Sequence, residues 1–407
     1  MLTHTRPFLG FIGVLALLGC SGSDTHYGPA YCELVNAIAV ADIDGNGFPD
    51  ILGVVSTTVG GAPTQGYVST RLQTAAGAFA LPTRFGVGTG PANLVVADVN
   101  GDGKPDLVVA NADDQTVTVR FADPARPGFF LPAIVLATPG QTPLDVAVGN
   151  LTGRTDGLLD VVVAAPATPG FFLPPFLAHS VLVFPQGATA GTFLTPINYT
   201  VGGDPQAVTV ADLDGNGRAD IAVATPANTV SVLLQTAAGV FAPAVEYATG
   251  VQPVAIKAVD LNGDGKLDLL TANFGATTSP GTQGLSVLLQ GATGTFTGPV
   301  HYTTAYRAVA LAVGDLNGDG KRDVAVACEG LPGDPGAVSV FLQDPATPGV
   351  LLAPVHYRGV YGPMGVAIAD MDGDGHPDLV LADGGIVVRL NSGTTPGTFG
   401  SPNFFYN

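Results

Sequence analysis

The stretch Asp370-Met371-Asp372-Gly373-Asp374-Gly375-His376-Pro377-Asp378 puts carboxylates at its positions 1, 3, 5 and 9 and a glycine at position 6. Donors that are all oxygen, at alternate positions, suit a hard cation. Ca²⁺ takes six to eight oxygens from carboxylates, amides and carbonyls. The glycine permits the tight turn that brings alternate side chains to one point, because a residue without Cβ takes the left-handed conformation at little cost. Position 7, here His376, would offer its carbonyl, so its side chain is free to vary.

The same spacing recurs five more times, and each copy gives four candidate ligands. They are Asp42, Asp44, Asn46 and Asp50; Asp98, Asn100, Asp102 and Asp106; Asp212, Asp214, Asn216 and Asp220; Asp260, Asn262, Asp264 and Asp268; and Asp315, Asn317, Asp319 and Asp323. With Asp370, Asp372, Asp374 and Asp378 this predicts about six Ca²⁺ sites. A seventh copy, 150–160, has two extra residues, and Asn150 and Thr152 hold its first two ligand positions. Only Asp156 and Asp160 are charged among its candidate ligands, so its metal binding is the weakest prediction. Asp-Gly and Asn-Gly also form hairpin turns without metal. That alternative accounts for the glycines but not for oxygen side chains kept at positions 1, 3 and 9. A helix-loop-helix calcium site is a poor fit, since its twelfth position needs a glutamate and here holds Gly53, Val109 or Leu381.

Loop starts lie between 48 and 62 residues apart. A period of that size means stacked supersecondary units, a solenoid or a propeller. Within each unit an apolar run leads into the loop, as in Ala207–Ala211, and a second run, Ile221–Ala224, leaves it. A turn, a third run at Val230–Leu234, another turn and a fourth segment at Phe241–Tyr247 complete the unit. Four short strands without helical periodicity describe one propeller blade. The expected fold is therefore all-β, a seven-bladed propeller of four-stranded blades. The first strand, small and β-branched, reads as buried on both faces at the crowded central axis. The last unit has all four segments, so the ring is expected to close between whole blades; His26-Tyr27 echoes the His301-Tyr302 and His356-Tyr357 pairs of fourth strands, and a small N-terminal overlap is the alternative. The metal hairpins and the three-to-four turns should share one face. The two-to-three loops and the crossovers between blades should share the other.

The net charge is −18, but the seven loops hold 21 of the 33 acidic residues. The other 12 acids face 15 Lys and Arg, so the acidity is local to the loops. The chain has no basic stripe, which argues against a nucleic-acid partner. Gly (56) and Pro (33) are abundant while 46% of residues are hydrophobic, the balance of a turn-rich β protein. The chain opens MLTHTRPFLGFIGVLALLGC, a basic start and a short apolar run ending at Cys20. That run is too short to span a bilayer and reads as a signal peptide over 1–19. Its end resembles the bacterial lipobox, which makes Cys20 the lipidated mature terminus, 20–34 a short tether and 35–407 the propeller. Cys32 and Cys328 either pair or stand as separate thiols; spacing alone does not decide.

The segments LAVGDLNGDGKRDVAVA (311–327), VSVLLQ (230–235) and GTFTGPVHY (294–302) together resemble the FG-GAP/VCBS repeat family, whose relatives include the propellers of integrin α-subunits. The resemblance covers nearly all of 35–407. It implies a seven-bladed propeller with Ca²⁺ in the hairpins between first and second strands, on the loop residues named above, and it leaves the 150–160 loop in doubt. It also implies an adhesion or ligand-binding module, so the chain is read as non-enzymatic. Histidines outside the repeat grammar are limited to His26 and His179, and no Ser/His/Asp spacing, zinc site or phosphate loop stands out. A structural envelope protein and a propeller-type polysaccharide lyase are the alternatives. The long two-to-three loop of unit 3, APATPGFFLPPFLAH, makes Phe171, Phe172 and Phe176 the candidate contacts for a protein or glycan ligand outside the cell. The expected setting is the bacterial envelope, with membrane contact through the lipid alone and the protein a monomer.

Overall fold

The computed structural model describes residues 31–59, 62–168, 179–275, 284–291, 293–330 and 335–405. The expected lipidation site Cys20 and the candidate contacts Phe171, Phe172 and Phe176 lie outside these residues. The described chain is all-β, and it contains no helix long and apolar enough to cross a membrane.

Seven four-stranded antiparallel sheets form the blades, and in each the four strands neighbour one another in chain order. Blade 1 runs Tyr31–Ala41, Asp50–Val59, Ala62–Arg71 and Thr83–Thr89; blade 7 runs Gly365–Ala369, Asp378–Asp383, Gly385–Arg389 and Asn403–Phe405. The inner strand Tyr31–Ala41 packs against both Pro91–Ala97 of blade 2 and Gly365–Ala369 of blade 7. The ring therefore closes between whole blades, as the complete last unit predicts.

Burial corrects one expectation. The second strand is fully buried in blades 2 to 7, as in Asp220–Thr225 and Asp268–Asn273, whereas the first strand is only partly buried. The reason is topological. The first strand has one hydrogen-bonded neighbour, and its other edge faces an axial channel of about 950 Å³ lined by the first strands of all seven blades. The second strand has a strand on each side and a neighbouring blade on each face. Cys328, in the second strand of blade 6, is a buried free thiol among the described side chains, which do not include that of Cys32.

Aromatic pairs explain the recurrent Gly-Thr-Phe and His-Tyr segments. The fourth-strand tyrosine of one blade meets a phenylalanine of the next edge-to-face: Tyr199 with Phe241 at 4.8 Å, Tyr247 with Phe296 at 5.3 Å and Tyr357 with Phe399 at 5.3 Å. The same tyrosines donate their hydroxyls to carbonyls in the next blade's turn, Gly239, Gly294 and Gly397. Edge-to-face pairs favour the ring quadrupoles and add to the apolar burial. Phe399→Ala should therefore cost about 3 kcal/mol, the range for truncating a buried aromatic, read as a lower denaturation midpoint with an unchanged m-value.

Candidate metal centres

Each intact loop is built by its own first aspartate. Asp42 Oδ1 accepts the N–H groups of Gly45 (2.7 Å) and Asn46 (3.1 Å), and Oδ2 accepts that of Gly47 (2.8 Å). Gly45 and Gly47 stand at φ of 77° and 87°, which a side chain would strain. Asp315 makes the same three bonds at 2.7, 3.1 and 2.8 Å. Position 3 accepts from the amide of position 5, and position 5 from that of position 7, as Asp44 and Asn46 do. The loop thus turns its oxygens inward with backbone N–H groups behind them. Position 2 points the other way: Ile43, Val99, Leu151, Leu213, Leu261, Leu316 and Met371 are all buried.

In three loops a carboxylate oxygen from each of three aspartates lies within 4.8 Å of the others. These sets are Asp42, Asp44 and Asp50; Asp212, Asp214 and Asp220; and Asp370, Asp372 and Asp374. They can hold a metal ion. The other intact loops carry asparagine at position 3, where Asn100, Asn262 and Asn317 offer a neutral amide oxygen instead of a carboxylate.

The ninth-position aspartate has a second task that the spacing does not disclose. Asp50, Asp106, Asp160, Asp220, Asp268, Asp323 and Asp378 have no exposed surface. Each uses Oδ2 to accept the N–H of its loop's position 2 and Oδ1 to accept the N–H of the second residue beyond the third strand. In blade 6 these donors are Leu316 at 2.9 Å and Gln343 at 2.8 Å. In blade 4 they are Leu213 at 2.7 Å and Gln235 at 2.6 Å.

The second residue beyond the third strand then reaches into the preceding blade. Gln73 donates its side-chain amide to the carbonyl of Met371 (2.8 Å), Gln235 to Leu151 (2.8 Å), Gln343 to Leu261 (2.6 Å) and Asn391 to Leu316 (2.8 Å). Gln186 reaches Val99 and Gln290 reaches Leu213 in the same way. Blade 2 has Ala122 at this place, and the Gly128 N–H bonds the Ile43 carbonyl at 3.2 Å instead. The acidic loops and three-to-four turns therefore share one face, as expected, and every loop sits in the seam between two blades. The signal for the amide was present in the recurrent VLLQ ending.

The 150–160 loop carries its own cation. Arg154, at the fifth position, pairs with both carboxylate oxygens of Asp156. Asn150 takes over the first position's turn-forming bond, accepting the Arg154 N–H at 2.8 Å. Asp160 still clamps Leu151 (2.9 Å) and Gln186 (2.8 Å). Asp156 and Asp160 are thus committed to an arginine and to the backbone.

His179 pairs with Asp204 at 2.9 Å on the opposite face, with both side chains about half exposed. Ser286 with His301 (3.0 Å) and Ser339 with His356 (2.9 Å) look like nucleophile–base pairs. Both serines are fully buried. Each accepts a crossover N–H, from Gly250 and Ala305 respectively. Their geometry latches the crossover to its own blade.

A family model described as FG-GAP-like repeat matches residues 42–109, 151–223, 212–271, 274–326 and 315–381. These ranges cover well over half of the chain, which belongs to that family. Two solved structures are similar across most of it: crystal structures of BBS1N in complex with ARL6DN, one soaked with lead and one with mercury. The first is 12% identical with a TM-score of 0.51, covering 87% of this chain and 90% of that one. The second is 12% identical with a TM-score of 0.50, covering 89% and 93%. At this identity the likeness establishes the fold alone. No curated protein matches the chain.

Burial pushes the carboxyls of Asp106, Asp220, Asp323 and Asp378 up to about 6, against the pull of their backbone hydrogen bonds. A folded-state value above the unfolded one means the folded chain binds protons more readily between the ordinary carboxylate range and about 6. Metal-free stability therefore falls as pH rises through that interval. A bound cation favours the charged form, so protons and metal compete for these groups. Divalent-cation affinity should drop about tenfold from pH 7 to pH 5, with a matching loss of the cation's effect on melting temperature.

Proposed function

We propose that this chain is a calcium-stiffened, lipid-anchored propeller of the bacterial cell envelope that binds a protein or glycan partner. The observation that carries the reading is the place of the acidic loops: convergent carboxylates lie in the seams between blades, tied by hydrogen bonds to both sides. The residues fit Ca²⁺. They are hard oxygen donors, with turns already closed by backbone N–H groups and three loops whose carboxylates approach within 4.8 Å. Positions 1, 3, 5 and 9 of the six intact loops would hold the ion, which supplies the positive charge that lets those carboxylates stay ionised side by side. The chain's own groups do the rest. The ninth aspartate fixes the hairpin, and the glutamine or asparagine beyond the third strand fixes the neighbouring blade.

A stiff ring presents loops at fixed positions, the arrangement in which binding residues usually sit. FG-GAP propellers are typically non-catalytic binding modules, which supports the same reading. The ring resembles that of BBS1N, crystallised in complex with ARL6DN, and this supports a protein as the partner. Lipidation of Cys20 would hold the module at the membrane while the tether leaves its loops accessible.

Two experiments test the reading. Calorimetric titration of metal-stripped protein should give about six Ca²⁺ per chain, with the 150–160 loop contributing none. Saturating calcium should raise stability by roughly 2.7 kcal/mol per site when free ion is about a hundredfold above Kd. A melting temperature unmoved by chelator contradicts structural calcium. Cys20→Ser should release the protein from the membrane fraction into the soluble one, and calcium-loaded protein should capture a surface partner that chelated protein does not.

A further inference from the structure

We propose that the axial channel binds a small organic carboxylate with an apolar body, held by the ammonium of Lys257. Seven repeats supply an internal control. Three residues before the loop, six first strands place Ala39, Val95, Ala147, Thr209, Ala312 and Ala367, while blade 5 places Lys257. Lys257 lies on Pro253–Val259, lines the channel and is exposed. The solvent it meets is that of the channel.

The ammonium donates no hydrogen bond among the described residues, and it is the lone cation among those that line the channel. Asp145 feels its charge, but that carboxylate is already engaged. Its oxygens accept Asn93 Nδ2 (2.6 Å), the Val146 N–H (2.9 Å) and the Val208 N–H (2.9 Å). The other two acids on the lining have partners of their own, Asp204 hydrogen-bonded to His179 Nδ1 at 2.9 Å and Glu329 paired with Arg307 at 3.8 Å. Three ammonium donors are thus left for a guest.

The walls define the rest of the guest. The polar groups at Asn93, Asp145, Thr209 and Lys257 come from consecutive blades 2 to 5, whereas the first strands of blades 6 and 7 line the channel with apolar side chains and glycine alone. A volume of about 950 Å³, mostly apolar with a few fixed polar groups, is the usual form of a small-molecule site. A carboxylate meets Lys257, and an alkyl or aryl body covers the adjoining apolar wall of blades 6 and 7. A cation is disfavoured by the ammonium, and a bare inorganic anion leaves the apolar wall uncovered.

The test is calorimetric titration of the full chain with octanoate, with octylamine and inorganic phosphate run beside it. Octanoate should bind at one per chain, and octylamine and phosphate should not. Lys257→Met should weaken octanoate at least about tenfold, the effect of losing one charged hydrogen bond, with the β-sheet circular dichroism of the folded protein unchanged because no hydrogen bond of the fold is lost. Lys257→Arg should keep most of the affinity. Absence of octanoate binding, equal binding to Lys257→Met, or octylamine bound as well as octanoate would overturn the assignment.

Discussion

One buried carboxylate per blade holds this ring together. The ninth residue of each loop has no exposed surface and bridges two backbone N–H groups, one at the loop's second position and one at the second residue beyond the third strand. Those two N–H groups lie at the far ends of a three-strand span, and without an acceptor they would be buried donors left unpaired, at about 1–3 kcal/mol each. Their closure brings the glutamine or asparagine of blades 1 and 3 to 7 into position to reach the preceding blade. The carboxylate is costly to bury, as the raised values of Asp106, Asp220, Asp323 and Asp378 show. That cost links the fold to cations: a positive charge in the loop favours the ionised form that the two N–H groups require.

Repetition makes departures informative. In the third loop Arg154 stands at a ligand position and brings a guanidinium against Asp156, while Asp160 keeps the clamp bonds of its six equivalents. The clamp thus persists where the ligand set does not, which separates the structural duty of the ninth aspartate from any metal duty. Lys257 is a departure of the same kind at the axis, where six other blades place small residues, valine or threonine.

The architecture was legible because a loop motif, its flanking strands and the Gly-Thr-Phe segment recur together. Strand order, ring closure and the shared face of loops and turns all follow from that recurrence. The burial of the first strand was misread, because a run of valine and alanine looks the same whether it is sandwiched between strands or lies at an edge facing a channel. The ligand spacing was visible in the oxygen side chains, but the clamp was not. A carboxylate that accepts backbone N–H groups leaves no partner side chain in the sequence to mark it. The tyrosine–phenylalanine seam was written in two familiar segments, yet that they meet across blades, Tyr357 on Phe399 for example, depends on the ring and not on either segment.

The central claim is that the ninth carboxylate is a structural clamp in its own right. The direct measurement is the unfolding free energy of Asp323→Ala beside the unaltered protein, in chelator at pH 7. Leu316 and Gln343 would each lose the acceptor of a buried N–H, at 2.9 and 2.8 Å. Asp323→Ala should lose about 3 kcal/mol with no metal present. A variant as stable as the unaltered protein in chelator, and weaker only when calcium is added, would mean that Asp323 is a ligand and nothing more.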